Sequence, residues 1–332
     1  MSDAPIFVVG FQRSGTTLLQ SLLGAHPRIA APPETHFIAR VAHLADYFGD
    51  LADDANLRRA LSEALNPPVP LLAECGFDED LLFERARTGP RTYAALLDTL
   101  MSDFAERHGK ARWCEKTPTQ PATWVFDLFP EAQVVHIVRD PRDVVASSLD
   151  VPWTGMATRR IAAAWRRFTL DNVRVGLEVG PARFLQIRYE DLARDFESTL
   201  SLVCAFLDEG LTTEMLTEPE RRLPTIASAA APWHGTVLEE RSPPALGSYR
   251  SRLRADRRAR VAAAIGGVIP SLGYPAPRRS TVVAGHALNL LAWPAEVPAA
   301  VGALRLRATA RTPAARHRAL EHYMRQRAES LS

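Results

Sequence analysis

Near the start of the chain lies Pro5-Ile6-Phe7-Val8-Val9-Gly10-Phe11-Gln12-Arg13-Ser14-Gly15-Thr16-Thr17-Leu18-Leu19. The apolar run Ile6 to Val9 reads as a buried strand, and the Leu-rich run after Thr17 reads as a helix. Between them stands Gly-x-x-x-x-Gly-Thr-Thr, where the phosphate loop of a nucleotide triphosphatase has Gly-x-x-x-x-Gly-Lys-Ser/Thr. The cradle is kept: glycines let backbone N–H groups turn inward, and the helix N-terminus adds partial positive charge. The lysine that would reach a β- or γ-phosphate is replaced by Thr16. Such a loop holds a phosphate group but is poorly equipped for ATP or GTP chemistry. Arg13, one step upstream, is placed to supply the missing charge.

The rest of the chain repeats the strand–helix alternation. Ala111 to Glu115 is a short strand candidate, Gln133 to Val138 a clear buried strand, and Phe184 to Ile187 another. Helical spacing covers Glu34 to Phe48, several segments between Asn56 and His108, Pro141 to Leu149, Ala157 to Val179, Phe196 to Leu207 and Ala255 to Val268. Breaks fall at Asn66-Pro67-Pro68 and at Thr88-Gly89-Pro90. Pro141 sits in a first helical turn, where its missing N–H costs nothing. Strands alternating with helices predict an α/β fold, a parallel sheet flanked by helices, with a helical insertion over about 37–108. The main body spans 1–277. Residues 278–332 form a C-terminal extension, partly helical, read as a pocket cover or as the arm of a homodimer. Ligands of such sheets bind at the carboxyl ends of the strands, where the first loop and the turn after Val138 both lie.

Composition narrows the classes. At 332 residues, 46% hydrophobic and 23% charged, the chain is that of an ordinary globular protein. A net charge of +2 gives no reason to expect nucleic-acid binding. Cys75, Cys114 and Cys204 are too few and too scattered for a disulfide framework or a zinc site, and no cluster of metal ligands is evident. No secretion signal and no uninterrupted apolar span is visible, so a cytoplasmic location without a membrane span is expected. Lys110 and Lys116 are the only lysines in an arginine-rich chain.

The second informative stretch is Val134-Val135-His136-Ile137-Val138-Arg139-Asp140-Pro141-Arg142-Asp143-Val144-Val145-Ala146-Ser147. Arg139 closes a strand, and Ser147 lies two helical turns into the next element. A guanidinium at a strand's carboxyl end binds phosphate bidentately. Alternatively Arg139 pairs with Asp140 or Asp143 and braces the turn.

These two stretches together resemble the PAPS-dependent sulfotransferases, PAPS being 3′-phosphoadenosine 5′-phosphosulfate. The resemblance runs in ordered landmarks from about Pro5 to Tyr274. It is nearest to the branch of the tyrosylprotein sulfotransferases and bacterial small-molecule enzymes, which has Arg-Ser-Gly-Thr-Thr-Leu (here Arg13 to Leu18), then His-Pro (His26-Pro27), then Glu-Thr opening a helix (Glu34-Thr35). The resemblance implies a P-loop-like sulfotransferase fold, PAPS as co-substrate, 3′-phosphoadenosine 5′-phosphate (PAP) as product, and no metal. It implies that Arg13, Ser14, Gly15, Thr16 and Thr17 hold the 5′-phosphosulfate, and that Arg139 and Ser147 hold the 3′-phosphate. It makes Glu34 the base that takes the acceptor's proton, although a carboxylate there also suits the cap of its own helix. Lys116, in Glu115-Lys116-Thr117-Pro118, corresponds to a family lysine at the leaving phosphate. Its other reading is a salt bridge to Glu115 or another acid. Tyr189 matches a tyrosine near the adenosine, or is a core residue. Ser242, Tyr249 and Arg250 fall where the family has a loop over the nucleotide, with tyrosine in place of the usual tryptophan.

His36, His43 and His108 lack the family's spacing and read as surface or core residues. His136, inside an apolar strand, reads as core. The expected reaction moves a sulfuryl group to a hydroxyl, less readily an amine, of a small molecule such as a carbohydrate, lipid or natural product. An atypical P-loop kinase and a non-catalytic nucleotide-binding protein are the alternatives.

Overall fold

The computed structural model describes residues 4–66, 72–150, 157–217 and 246–290, and residues 312, 314, 315, 317 and 318. Five parallel strands, β1 (Ile6–Gly10), β2 (Ile29–Ala30), β3 (Arg112–Pro118), β4 (Gln133–Val138) and β5 (Phe184–Arg188), form one sheet in the order β2-β3-β1-β4-β5. The strand at Arg112 runs three residues further than its apolar pattern suggests. It carries Lys116 and Thr117 to the sheet's carboxyl edge, opposite Val8 and Val9.

β1 is central and fully buried. Successive side chains of a strand point to opposite faces, and both faces are covered. Phe7 and Val9 join Val134 and Val138 in a core shared with the helical insertion and with α9 (Thr158–Val179). Ile6 and Val8 join Val135 and Ile137 under α1 (Thr16–Ala25) and α11 (Phe196–Phe206). Burial on both sides explains why these strands read as continuous apolar runs. His136 is fully buried among rings of Phe168 and Phe184, as a core residue.

Between β2 and β3 the insertion comprises α2 (Phe37–Arg40), α3 (Ala45–Phe48), α4 (Asp54–Leu65), α5 (Glu79–Thr88) and α6 (Tyr93–Arg107). Three of these have side-chain caps: Asp53 accepts from Ala55 N and Asn56 N, Asp78 from Leu81 N and Thr92 from Ala95 N. The expected continuous helix over Glu34 to Phe48 is broken into two single turns joined by a 3-10 turn, Ala42–Leu44. Glu34 and Thr35 precede the first of them instead of opening it. After β3 come α7 (Ala122–Leu128), whose first N–H is capped by Asn172 Oδ1 at 2.8 Å, and, after β4, α8 (Pro141–Ser148). Tyr189–Arg194, directly after β5, is a short helix, α10.

Residues 279–290 of the extension are helical. Gly285 lies so close to the Ala255–Ile265 helix that a Cβ there would fall 1.9 Å from the Ala259 carbonyl oxygen. The residue over which the phosphate loop turns is equally confined. A Cβ at Gly10 would meet Thr16 Cγ2 at 2.7 Å and the Ile137 carbonyl at 2.8 Å. Gly10→Ala is therefore expected to lower unfolding free energy by about 1–3 kcal/mol, the usual cost of overpacking, read from a urea midpoint shift at constant slope.

Candidate active site

The loop between β1 and α1 takes its shape from two left-handed residues, Arg13 (φ 66°) and Gly15 (φ 93°), on either side of Ser14. Only glycine fits the second position, because a Cβ would fall 2.4 Å from Cδ2 of Tyr189. Left-handed turns of this kind point successive N–H groups into a common concavity, here at the start of α1, which has no side-chain cap. Ser14 is buried, and its hydroxyl meets no protein partner among the described residues. The arrangement is an anion cradle, and the buried polar hydroxyl fits a phosphate-bearing ligand.

The end of β4 delivers the second half. Arg139 Nη1 donates to the Arg13 carbonyl at 3.0 Å, and its guanidinium lies 4.3 Å from the centre of the Tyr189 ring. Arg13 Nε donates to Ser147 Oγ at 3.0 Å, two turns into α8. Five expected contacts, Arg13, Gly15, Arg139, Ser147 and Tyr189, thus meet at the carboxyl ends of β1 and β4. Burial, and next the neighbouring Arg139, hold the Arg13 guanidinium below its ordinary value. An anion placed between two such groups relieves the penalty.

Arg139 does not brace the turn through its neighbours as its alternative reading supposes. Asp140 caps α8 at Arg142 N and grips the Arg142 guanidinium through Nε and Nη2. Asp143 accepts from Gly247 N at 2.7 Å, Ser248 Oγ at 3.0 Å and Tyr249 N at 2.9 Å. Buried Tyr249 lies between the guanidiniums of Arg142 and Arg250, at 4.7 and 5.0 Å. This fastens the 247–250 turn to α8. Ser242 lies outside the described residues.

Across β1 a second group converges. Lys116 Nζ lies 3.2 Å from Thr17 Oγ1 and 3.4 Å from Glu34 Oε2. Of the acids its alternative reading offered, Lys116 pairs with Glu34 and not with Glu115, whose Oε1 accepts from Thr35 N at 3.2 Å and Thr35 Oγ1 at 2.9 Å. Thr35 Oγ1 in turn accepts from Phe37 N at 3.0 Å, so the threonine, not Glu34, satisfies the N-terminus of α2. His36, at the N-cap position with φ 56°, places Nδ1 2.9 Å from Glu34 Oε1. It belongs to this cluster and not to the surface or a core, a correction to its sequence reading. Its neighbour-but-one spacing from Glu34 was the available signal. His43 is exposed and stacks on Trp124 at 3.8 Å, and His108 Nδ1 bonds the Phe104 carbonyl at 2.7 Å.

Burial pushes the Glu115 carboxyl up to about 8, against the two hydrogen bonds from Thr35 and with the charge of Glu34 adding to the shift. A carboxyl raised in the folded state binds its proton more tightly folded than unfolded. Its contribution is therefore complete below the ordinary carboxylate range and is lost as pH rises through about 8. Glu115→Gln keeps an acceptor for Thr35 and cannot ionise. It is expected to lose less stability than the unmodified protein between about pH 5 and about pH 8.5, measured by denaturant unfolding at both.

The described residues contain no helix long and apolar enough to cross a membrane. The sulfotransferase family profile matches residues 5–213. Relatives include the protein-tyrosine sulfotransferase of Drosophila melanogaster, 26% identical over 212 residues that cover 61% of this chain and 38% of that protein. Protein-tyrosine sulfotransferase 2 of Gallus gallus is 26% identical over 219 residues, 61% of this chain and 50% of that protein. Nodulation protein NoeE of Sinorhizobium fredii is 26% identical over 224 residues, 60% and 49%. The chain thus spans half or less of the length of these relatives. Among solved structures, the sulfotransferase domain of the Synechococcus PCC 7002 olefin synthase superposes with a TM-score of 0.57 at 22% identity, covering 83% of this chain and 98% of that domain. With the fold, the lysine-free anion loop and a profile match over more than half its length, the chain belongs to the sulfotransferase family.

Proposed function

We propose that this protein transfers a sulfuryl group from PAPS to a hydroxyl acceptor, releasing PAP. The observation that carries the reading is the meeting of Arg13, Arg139 and Ser147 beside a phosphate loop that has threonine in place of lysine. The loop residues Ser14 to Thr17 suit the 5′ end of the donor, and Arg139 with Ser147 suits its 3′-phosphate. Tyr189, packed on Gly15 and under Arg139, offers a ring face to the nucleoside, and Tyr249 with Arg250, on the turn held to α8, is assigned to the nucleotide by the family resemblance.

When bound, the donor supplies a sulfuryl group already activated by its anhydride link to phosphate. The protein's part is charge and position. Lys116, reaching Thr17 at the head of α1, stands where negative charge grows on the leaving phosphate, and Arg13 shares that task. Glu34, beside Lys116 and buried, takes the acceptor's proton as the hydroxyl attacks. In this reading the helical insertion presents the acceptor on the side away from the leaving group, for in-line displacement. Among the alternatives, a kinase reading lacks the loop lysine, and a purely nucleotide-binding reading leaves the buried Glu34–Lys116 pair without a task. The free, buried thiols of Cys75, Cys114 and Cys204 suit a reducing cytoplasm.

A small-molecule hydroxyl is the acceptor expected from sequence. The names of the relatives add a second reading, a tyrosine of a protein. Labelled PAPS offered with carbohydrate, lipid and phenolic alcohols on one side and tyrosyl peptides on the other separates the two.

Arg139→Ala is expected to weaken PAP by about 1.5–3 kcal/mol, the worth of a charge-assisted contact, and to leave adenosine 5′-phosphate nearly unaffected. Equal losses by calorimetry remove Arg139 from the 3′-phosphate, and preference for ATP–Mg²⁺ over PAP restores the kinase reading. Glu34→Gln is expected to reduce turnover by about 10²–10⁴-fold, the range for a lost general base, with PAP affinity retained. Normal turnover in that variant ends the base assignment.

A further inference from the structure

β3 turns polar inside a core. Trp113 and Cys114 are buried, and Glu115, the next residue, is buried with them, opposite Phe7 of β1. A carboxyl in such a place is costly unless its oxygens are answered. Here one oxygen takes two donors. Glu115 Oε1 accepts from Thr35 N at 3.2 Å and from Thr35 Oγ1 at 2.9 Å. Burial pushes the carboxyl up to about 8, so it keeps its proton at neutral pH. A neutral acid still offers its carbonyl oxygen to both donors. It does not compete with Glu34 for the Lys116 ammonium.

The sheet's own ladder does not hold the segment that Glu115 grips. The pairing of β2 with β3 ends at Ala30. Pro32 and Pro33 follow, and neither has an N–H to donate. Side chains take over. Gln20 Nε2 donates to the Pro32 carbonyl at 2.7 Å, and Glu115 receives Thr35. Lys116, next on β3, lies 3.4 Å from Oε2 of Glu34, the residue before Thr35. Two consecutive residues of one strand thus clasp two consecutive residues of the segment. The clasp also reaches forward. Because the Thr35 hydroxyl donates to Glu115, its lone pair is left to accept from Phe37 N at 3.0 Å, at the start of α2.

We propose that Glu115 is a positioning residue for the transfer: by receiving both donors of Thr35 it sets the 34–35 dipeptide against β3, with the Glu34 carboxylate beside Lys116 where the acceptor hydroxyl is to be met. The inference rests on the sulfuryl-transfer reading and on Glu34 as its base. Glu115 acts through Thr35 and Glu34 and has no task at the reacting atoms. Without its two bonds the backbone at Thr35 loses this tie to β3, and the carboxylate next to it shifts. A misplacement of about 1 Å in a site of this kind costs about 10²-fold in rate.

Glu115→Gln keeps the carbonyl oxygen and, like the neutral acid, carries no charge. Glu115→Met has a similar length and no oxygen to offer. With labelled PAPS and an acceptor from the screen above, Glu115→Met is expected to lower kcat by about 10- to 10²-fold while its affinity for PAP, read by calorimetry, is retained. Glu115→Gln is expected to recover most of that loss. Thr35→Val keeps the N–H and drops the hydroxyl. It is expected to lower kcat by a smaller factor, and the Glu115→Met/Thr35→Val double variant to lose less than the product of the two single losses, because the pair acts as a unit. Wild-type kcat in Glu115→Met overturns the proposal. A Glu115→Gln as impaired as Glu115→Met overturns it too, as does a fall in PAP affinity in step with kcat, which assigns a merely structural role. If Glu115→Met does not fold, wild-type kcat in Thr35→Val or an impaired Glu115→Gln is decisive against it. Glu34→Gln assayed in parallel separates the two layers. Normal turnover there defeats the base assignment and the inference with it, whereas an inactive Glu34→Gln beside a fully active Glu115→Met defeats only the positioning role.

Discussion

A single buried ammonium joins the two halves of this site. Lys116 is almost fully enclosed, and a lysine so placed must find partners or give up its charge. It has two of opposite kind: a hydroxyl at the head of the phosphate-loop helix and a carboxylate from the segment that follows the edge strand β2. Lys116 on β3 thus touches both the head of α1 and the Glu34 segment, beside a second tie in which Gln20 Nε2 of α1 donates to the Pro32 carbonyl at 2.7 Å. The strand itself is locked by its parallel pairing with β1.

The nucleotide side is built by a different device, carboxylates that hold backbone in place. Asp140 caps α8 and grips Arg142, Asp143 gathers the turn at 247–249, and Glu190 accepts from Asp140 N while its other oxygen accepts from the Tyr274 hydroxyl. The contacts of Asp143 and Glu190 cross long stretches of sequence, and together they tie the end of β4, the start of α10 and the last part of the main body into one frame. Arg139 is left directed at the phosphate loop and not at an adjacent acid. The two carboxylates nearest Arg139 in sequence are engaged elsewhere, Asp140 at Arg142 and Asp143 at the 247–249 turn.

Much of the fold was legible in the chain because both faces of the sheet are buried. Continuous apolar runs at Ile6 to Val9 and Gln133 to Val138 announce such strands, and the Pro and Gly breaks mark the insertion's helix ends. Two-residue β2 carries too little pattern to detect. The far end of β3 is polar, with Lys116 reaching Thr17 and Glu34 and Glu115 reaching Thr35, so hydrophobic periodicity stops where the candidate site begins. The turns between Glu34 and Phe48 have helical spacing, but Thr35 is drawn to Glu115 and His36 to Glu34. The tertiary Thr35–Glu115 bond holds the 34–36 segment out of the helix that local propensity would allow, and α2 begins only at Phe37.

The sequence by itself determined the order of strands and helices, the lysine-free cradle and the family resemblance, since glycine placement, apolar runs and motif spacing are local properties. Only the tertiary structure decided which acid faces Lys116, that Asp143 serves the 247–249 turn, and that Thr35 stands against Glu115. Those choices depend on how residues distant in sequence share one buried volume, where each charge must be matched to a partner that packing brings within reach.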